Sequence, residues 1–168
     1  MRSIERTTKS FYLFHFKGFR VPFTPMRMPK RMMVPIIKAA NELHIKPLLT
    51  QDAIVGRALA YCDWAVAKGL LAIRSHVDTS DPSLLPVRAM LEVKNRVAPY
   101  LDLQLVAFPQ DGVLRTPGGL DNLQRALDLG VDVVGGIPHF ERTMGEGAAS
   151  VKLLCELAAE RGLPVDMH

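Results

Sequence analysis

From about residue 43 the chain alternates short apolar runs with longer stretches of helical period. "LLAIRSHVD" starts at Leu70, "LDLQLVAF" at Leu101, "VDVVGGIPH" at Val131 and "LPVDMH" at Leu163. Each is apolar, several residues are β-branched, and turn residues bound it, as in a buried strand. The starts lie 31, 30 and 32 residues apart, the length of one βα unit. Between them the apolar positions recur three and four residues apart. Helices are predicted over 50–68 (Thr50 as N-cap, Gly69 as stop), 83–97 (before Pro99), 121–129 (Gly130 as stop) and 147–161 (Gly162 as stop). Alternating helix and strand predicts an α/β fold with a parallel sheet and right-handed crossovers. A doubly wound sheet and a (β/α)8 barrel both satisfy this order, and in both the chemistry gathers at the C-terminal strand ends.

The first 42 residues break the pattern. Residues 11–23 hold five of the seven Phe, residues 1–33 hold five of the eight Met, and Pro22, Pro25, Pro29 and Pro35 interrupt any period. Residues 1–42 carry nine Lys/Arg against two Glu, a charge of +7, and the remainder carries −3. The basicity thus belongs to one end and is not a nucleic-acid footprint spread over a domain. Its composition loosely fits a transit peptide or a basic arm, but it lacks an amphipathic helix. The reading preferred here is that residues 1–41 are disordered, out-of-frame or unrelated sequence ahead of a folded region over 42–168. No run of about 18 apolar residues suggests a membrane span. Cys62 and Cys155 fall in predicted helices and read as buried thiols of a reducing, cytoplasmic setting, not as a disulfide.

Polar residues collect at the predicted strand ends: His76 and Asp78, then Gln110 and Asp111, then His139 and Glu141, then Asp166 and His168. Bland readings stand beside the chemical ones. His76 fits a hydrogen-bonded strand-end histidine without chemistry. "GGIPHFE" fits a tight βα turn whose glycines permit positive φ and whose Pro138 sets the entry. "TPGG" at 116–119 fits a turn into a helix. The carboxamide of Gln110 carries a donor and an acceptor, so it suits the amide-like edge of a pyrimidine as well as solvent. His168 suits a metal or nothing at all.

The segments "IRSHVDTSDPSLLPVRAMLEVK", "DLQLVAFPQDG", "LGVDVVGGIPHFERT" and "PVDMH" resemble the bacterial cytosine and isocytosine deaminases of the amidohydrolase superfamily, over about residues 42–168. The resemblance implies part of a TIM-type (β/α)8 barrel, about strands two to five. It also implies a divalent metal, iron or zinc, and hydrolytic loss of an exocyclic amine as ammonia. Gln110 then matches the glutamine that reads the pyrimidine, and His168 matches the metal-binding histidine of the fifth strand. His76, Asp78 and His139 are weaker strand-end candidates. The family's His-x-His pair on strand one has no counterpart, since residues 1–42 contain only His15. The glutamate that acts as general acid/base, and the later histidine and aspartate, are expected beyond His168, so no catalytic residue is assigned.

Two functions from different classes follow. One is a metal-dependent amidohydrolase acting on cytosine or a related aminopyrimidine, active once the missing strands are supplied. The other is an inactive fragment that binds no metal or serves as an interaction module. Whether the chain is an enzyme by itself stays open, with inactivity expected of it alone. A different small-molecule role for the sheet is a third, weaker possibility. The expected partners are a small aminopyrimidine and a second copy or the missing barrel half, with no nucleic acid and no membrane.

Overall fold

The computed structural model describes residues 48–168; the expectations for residues 1–41 fall outside them. The chain runs α1 (Gln51–Ala67), β1 (Ala72–Asp78), α2 (Leu85–Val97), β2 (Asp102–Phe108), α3 (Gly119–Asp128), β3 (Val133–Gly136), a 3-10 turn (Pro138–Phe140), α4 (Met144–Arg161) and β4 (Val165–Met167). The four strands form one parallel sheet in the order β1-β2-β3-β4. Each new strand adds to the same side of the last, without the reversal of order that defines a doubly wound sheet. The sequence left those two folds open, and the strand order selects the barrel type.

Burial agrees with this choice. One face of the sheet presents Val77, Leu103, Leu105, Ala107 and Val134 to apolar residues of all four helices, among them Cys62, Val93, Leu123 and Leu154. The other face carries a smaller cluster of Val106, Phe108, Val133 and Ile137, with Phe140 of the 3-10 turn packed against it and, among the described residues, no residue of α1–α4. Strand side chains alternate between faces, so the neighbours of the core residues on β1, namely Arg74, His76 and Asp78, share this second face.

The helix ends show which local signals acted. Thr50 caps α1 by accepting the Ala53 N–H at 3.2 Å. Gly69, Gly130 and Gly162 all adopt positive φ after their helices, as expected of the stops. α4 begins three residues earlier than its apolar period, because Thr143 accepts the Glu146 N–H at 3.0 Å and Glu146 accepts the Arg142 N–H at 2.9 Å. "TMGE" is thus a variant of the capping box. α3 also starts early, at Gly119, after Gly118 turns with φ 71°.

The glycines of "GGIPHFE" have a different purpose from the one the sequence suggests. Gly135 and Gly136 lie inside β3, and neither has positive φ. They are small because neighbours press on both faces. A Cβ on Gly135 would collide with the Ala107 oxygen, and one on Gly136 would stand 2.6 Å from Leu154 Cδ1.

The loop after β2 is held from β3's side. Glu141, 9% exposed, accepts the backbone N–H groups of Leu114 at 3.2 Å and Arg115 at 2.8 Å. Gly112, with φ 88°, passes so close that a Cβ there would lie 2.8 Å from Glu141 Oε2. Glu141→Ala strands both N–H groups and is expected to cost about 1–3 kcal/mol in urea unfolding. An unchanged midpoint would show that the loop does not depend on this carboxylate.

The thiols differ, and here the expectation of two buried cysteines is corrected: Cys62 is buried in the apolar core, whereas Cys155 is exposed on α4. Burial, and then the charge of Asp63, push the Cys62 thiol above its ordinary pKa. At neutral pH a disulfide reagent is expected to modify one thiol at once and the second only slowly. Two equally fast thiols would contradict the packing of α1.

Candidate functional site

Strands stand about 4.8 Å apart, so β1 and β4 would be about 14 Å apart in a flat sheet. Their side chains nevertheless touch. Arg74 on β1 reaches Asp166 on β4, with Nη1 2.9 Å from Oδ2. The Nε2 atoms of His76 and His168 stand 3.2 Å apart, a separation at which one ring's N–H donates to the other's bare nitrogen. The second face is therefore concave, and residues 92 positions apart in sequence meet across it.

The register explains which residues arrive. β1 pairs Arg74 with Gln104 and His76 with Val106, and β3 pairs Gly135 with Asp166. Arg74 Nε donates to Gln104 Oε1 at 2.7 Å, so the guanidinium is fixed from β2 while it holds Asp166. The ladder continues one residue past β4, where the His168 N–H donates to the Gly136 oxygen at 2.9 Å. That bond sets His168 on the concave side, one alternation after Asp166.

Phe108 packs against both imidazoles. Its ring centroid is 5.0 Å from that of His76 and 5.4 Å from that of His168, each edge to face, and the two imidazole centroids are 4.7 Å apart at 87°. Its Cδ2 lies 3.0 Å from where a Gly135 Cβ would be, so the bare glycine makes room for the ring.

Asp166 completes the group. Its Oδ1 is 3.5 Å from His76 Nε2 and 3.8 Å from His168 Nε2. Partial burial is the largest single influence and opposes ionisation of Asp166. The hydrogen bonds and charges of Arg74 and His76 together outweigh it, and the carboxyl is held below its ordinary pKa. Among the described residues, His76, Asp166 and His168 are the group of three whose ligand atoms all lie within 4.8 Å of one another. Two imidazoles and a carboxylate are donors that suit a divalent transition ion, so the set is chemically fit for a metal.

The other candidates take lesser places. His139 sits in the 3-10 turn after β3, and its Nδ1 is 3.0 Å from the His168 backbone oxygen. Asp78 ends β1, and its Oδ1 accepts the Ser80 N–H at 2.8 Å. Gln110 is exposed in the turn after β2, where its N–H donates to the Phe108 oxygen at 2.9 Å. The structure thus unites His76 and His168, leaves Gln110 outside the cluster's bonding, and adds two residues the sequence did not single out as site residues, Asp166 and Arg74. The alternation Arg74-x-His76 and Asp166-x-His168 on strands ending at the same edge was the available signal.

Comparison with known proteins agrees with the fold. No protein-family profile matches the chain. N-isopropylammelide isopropyl amidohydrolase of Pseudomonas sp. (strain ADP) is 31% identical over 150 residues, 86% of this chain and 37% of that protein. The crystal structure of 5-methylcytosine deaminase from Klebsiella pneumoniae, liganded with phosphonocytosine, superposes with TM-score 0.75 at 39% identity, over 82% of this chain and 33% of that one. N-isopropylammelide isopropylaminohydrolase from Burkholderia multivorans gives TM-score 0.65 at 30% identity, over 88% and 36%. The chain therefore spans about a third of the length of the relatives it matches. In sequence and in fold alike it is similar, over that third, to deaminases and amidohydrolases of the amidohydrolase superfamily.

Proposed function

We propose that this chain contributes the pyrimidine-reading and metal-binding strands of a hydrolytic deaminase for cytosine or a related aminopyrimidine. The observation that carries the reading is the 39% identity and TM-score of 0.75 to an enzyme solved with phosphonocytosine. Gln110 supports it, because a turn at the C-terminal end of β2 presents its carboxamide with no side-chain hydrogen bond to another described residue. One amide can give a hydrogen bond to a ring nitrogen or carbonyl and take one from a ring N–H.

His168 is the residue proposed to hold the divalent ion, iron or zinc, with its orientation set by the Gly136 ladder bond. A bound ion supplies Lewis-acid chemistry, lowering the pKa of water so that a nucleophile is available near neutral pH. His139 and Asp78 are proposed as positioning groups, since each already spends a side-chain atom on the local backbone. The two free cysteines suit a reducing, cytoplasmic setting. No helix among the described residues is long and apolar enough to cross a membrane.

Among the described residues, β1 and β4 each pair on one side only. Four strands make half of an eight-stranded barrel, so turnover is proposed to need further strands added at those edges. The chain by itself is expected to release no ammonia from cytosine with added iron or zinc. Substantial metal-dependent turnover by it would overturn the need for closure. A chimaera tests the chemistry: residues 48–168 replace the matching third of the Klebsiella enzyme. It is expected to deaminate cytosine, and Gln110→Ala in it is expected to lower kcat/KM by roughly a hundredfold, the size of a lost, buried pair of substrate hydrogen bonds. A soluble, folded chimaera without turnover would sink the deaminase reading.

A further inference from the structure

We propose that His76, Asp166 and His168 form a self-contained site for one divalent transition-metal ion, built from β1 and β4 alone. The proposal rests on the deaminase reading only in placing the ion on the same concave face. Its donor set is its own. The resemblance joins His168 to a His-x-His pair on strand one and a late aspartate, whereas here the partners are His76 and Asp166.

The separations carry the argument. The three ligand atoms stand 3.2, 3.5 and 3.8 Å apart. An ion bonded tetrahedrally at about 2.0–2.1 Å keeps neighbouring donors about 3.4 Å apart, and the centre of this triangle lies about 2.0 Å from each corner. Hydrogen bonding ties Asp166 Oδ1 to His76 only loosely: the contact is 3.5 Å, longer than the about 2.7–2.9 Å of a charge-assisted N–H···O bond, and His168 Nε2 stands 3.8 Å from the same oxygen.

The two oxygens of Asp166 are also divided in function. Oδ2 is taken by Arg74 at 2.9 Å, and Arg74 is itself anchored by Gln104 at 2.7 Å. Oδ1 is thereby aimed at the imidazoles. Phe108 sets the planes of both rings by its edge-to-face contacts. Arg74 is thus a positioning residue of the kind that orients a metal's ligands from outside the coordination shell. Two imidazoles with one carboxylate favour zinc, iron(II) or cobalt(II) over magnesium or calcium, which take oxygen donors. Three protein donors leave a position open, as in catalytic zinc sites.

The test uses the full chain, freed of metal by chelation, titrated with Zn2+ by calorimetry and with Co2+ by visible absorption. One ion per chain is expected, with the intense visible bands of four- or five-coordinate cobalt. His76→Asn and Asp166→Asn are each expected to weaken Zn2+ binding at least tenfold. Arg74→Gln should weaken it about tenfold at unchanged stoichiometry. Circular dichroism of each metal-free variant checks that it folds. Nitrogen NMR of the parent chain needs no variant: the Nε2 resonances of both His76 and His168 are expected to shift with one equivalent of Zn2+. No one-to-one binding, or a His76 Nε2 resonance that stays put, overturns the site. Full-strength binding by His76→Asn that is lost in His168→Asn also overturns it, while leaving the deaminase reading intact. The triad binding Zn2+ beside an inactive chimaera would support the site and remove the reaction.

Discussion

The contact between Arg74 and Asp166 joins the first strand of the sheet to the fourth across the concave face. Parallel strands curl because they twist, but curling brings unlike residues together only if the pleat sends them to the same side. Arg74, Gln104 and Asp166 satisfy that condition, and they form one polar chain across the width of the sheet. An unpaired guanidinium or carboxylate on this face would lose part of its hydration without compensation. Pairing offsets that cost for both. It also leaves Asp166 ionised, with its second oxygen turned toward the histidines.

The same curvature demands small residues in β3. A strand inside a curled sheet is crowded by rings on the concave side and by helix side chains on the convex side. Gly135 admits Phe108 on one side, and Gly136 admits Leu154 on the other. Fold and site are therefore coupled at two adjacent glycines: a side chain on the first would push Phe108 off the imidazoles, and one on the second would push α4 off the sheet. The stability of the α4 contact and the placement of His168, whose ladder partner is Gly136, rest on one short strand.

Much of this was legible before the coordinates. The βα period, the buried strands and the glycine stops follow from local sterics and apolar period, and they placed all four strands and helices within a few residues. α4 was misjudged at its start because "TMGE" acts through side-chain capping, which an apolar period does not report. The direction of winding was not legible, since strand order is a property of packing between units. For the site, His76 and His168 were visible as strand-end histidines, and the resemblance weighted Gln110 and His168. Asp166 was visible as a strand-end polar residue and Arg74 only through its alternation with His76; that they pair arises from register across three strand spacings, which neither "IRSHVD" nor "PVDMH" encodes alone.

Binding and turnover make different demands on such a face. Coordination of an ion is short-ranged and tolerates water, so an open, curved sheet can supply it: the Asp166 side chain is 17% exposed and that of His168 is 55% exposed. Turnover needs a pyrimidine held against the nucleophile in a setting from which bulk water is excluded, because water weakens every interaction that steadies developing charge. Four strands furnish one wall of that setting. The donors proposed to grip an ion thus lie within this chain's own geometry, while the enclosure that would make such a grip catalytic belongs to a closed barrel. Among the described residues β1 and β4 each keep one unpaired edge, and those edges are where the two requirements meet, since any strand that pairs there both satisfies exposed backbone groups and extends the wall that carries His168.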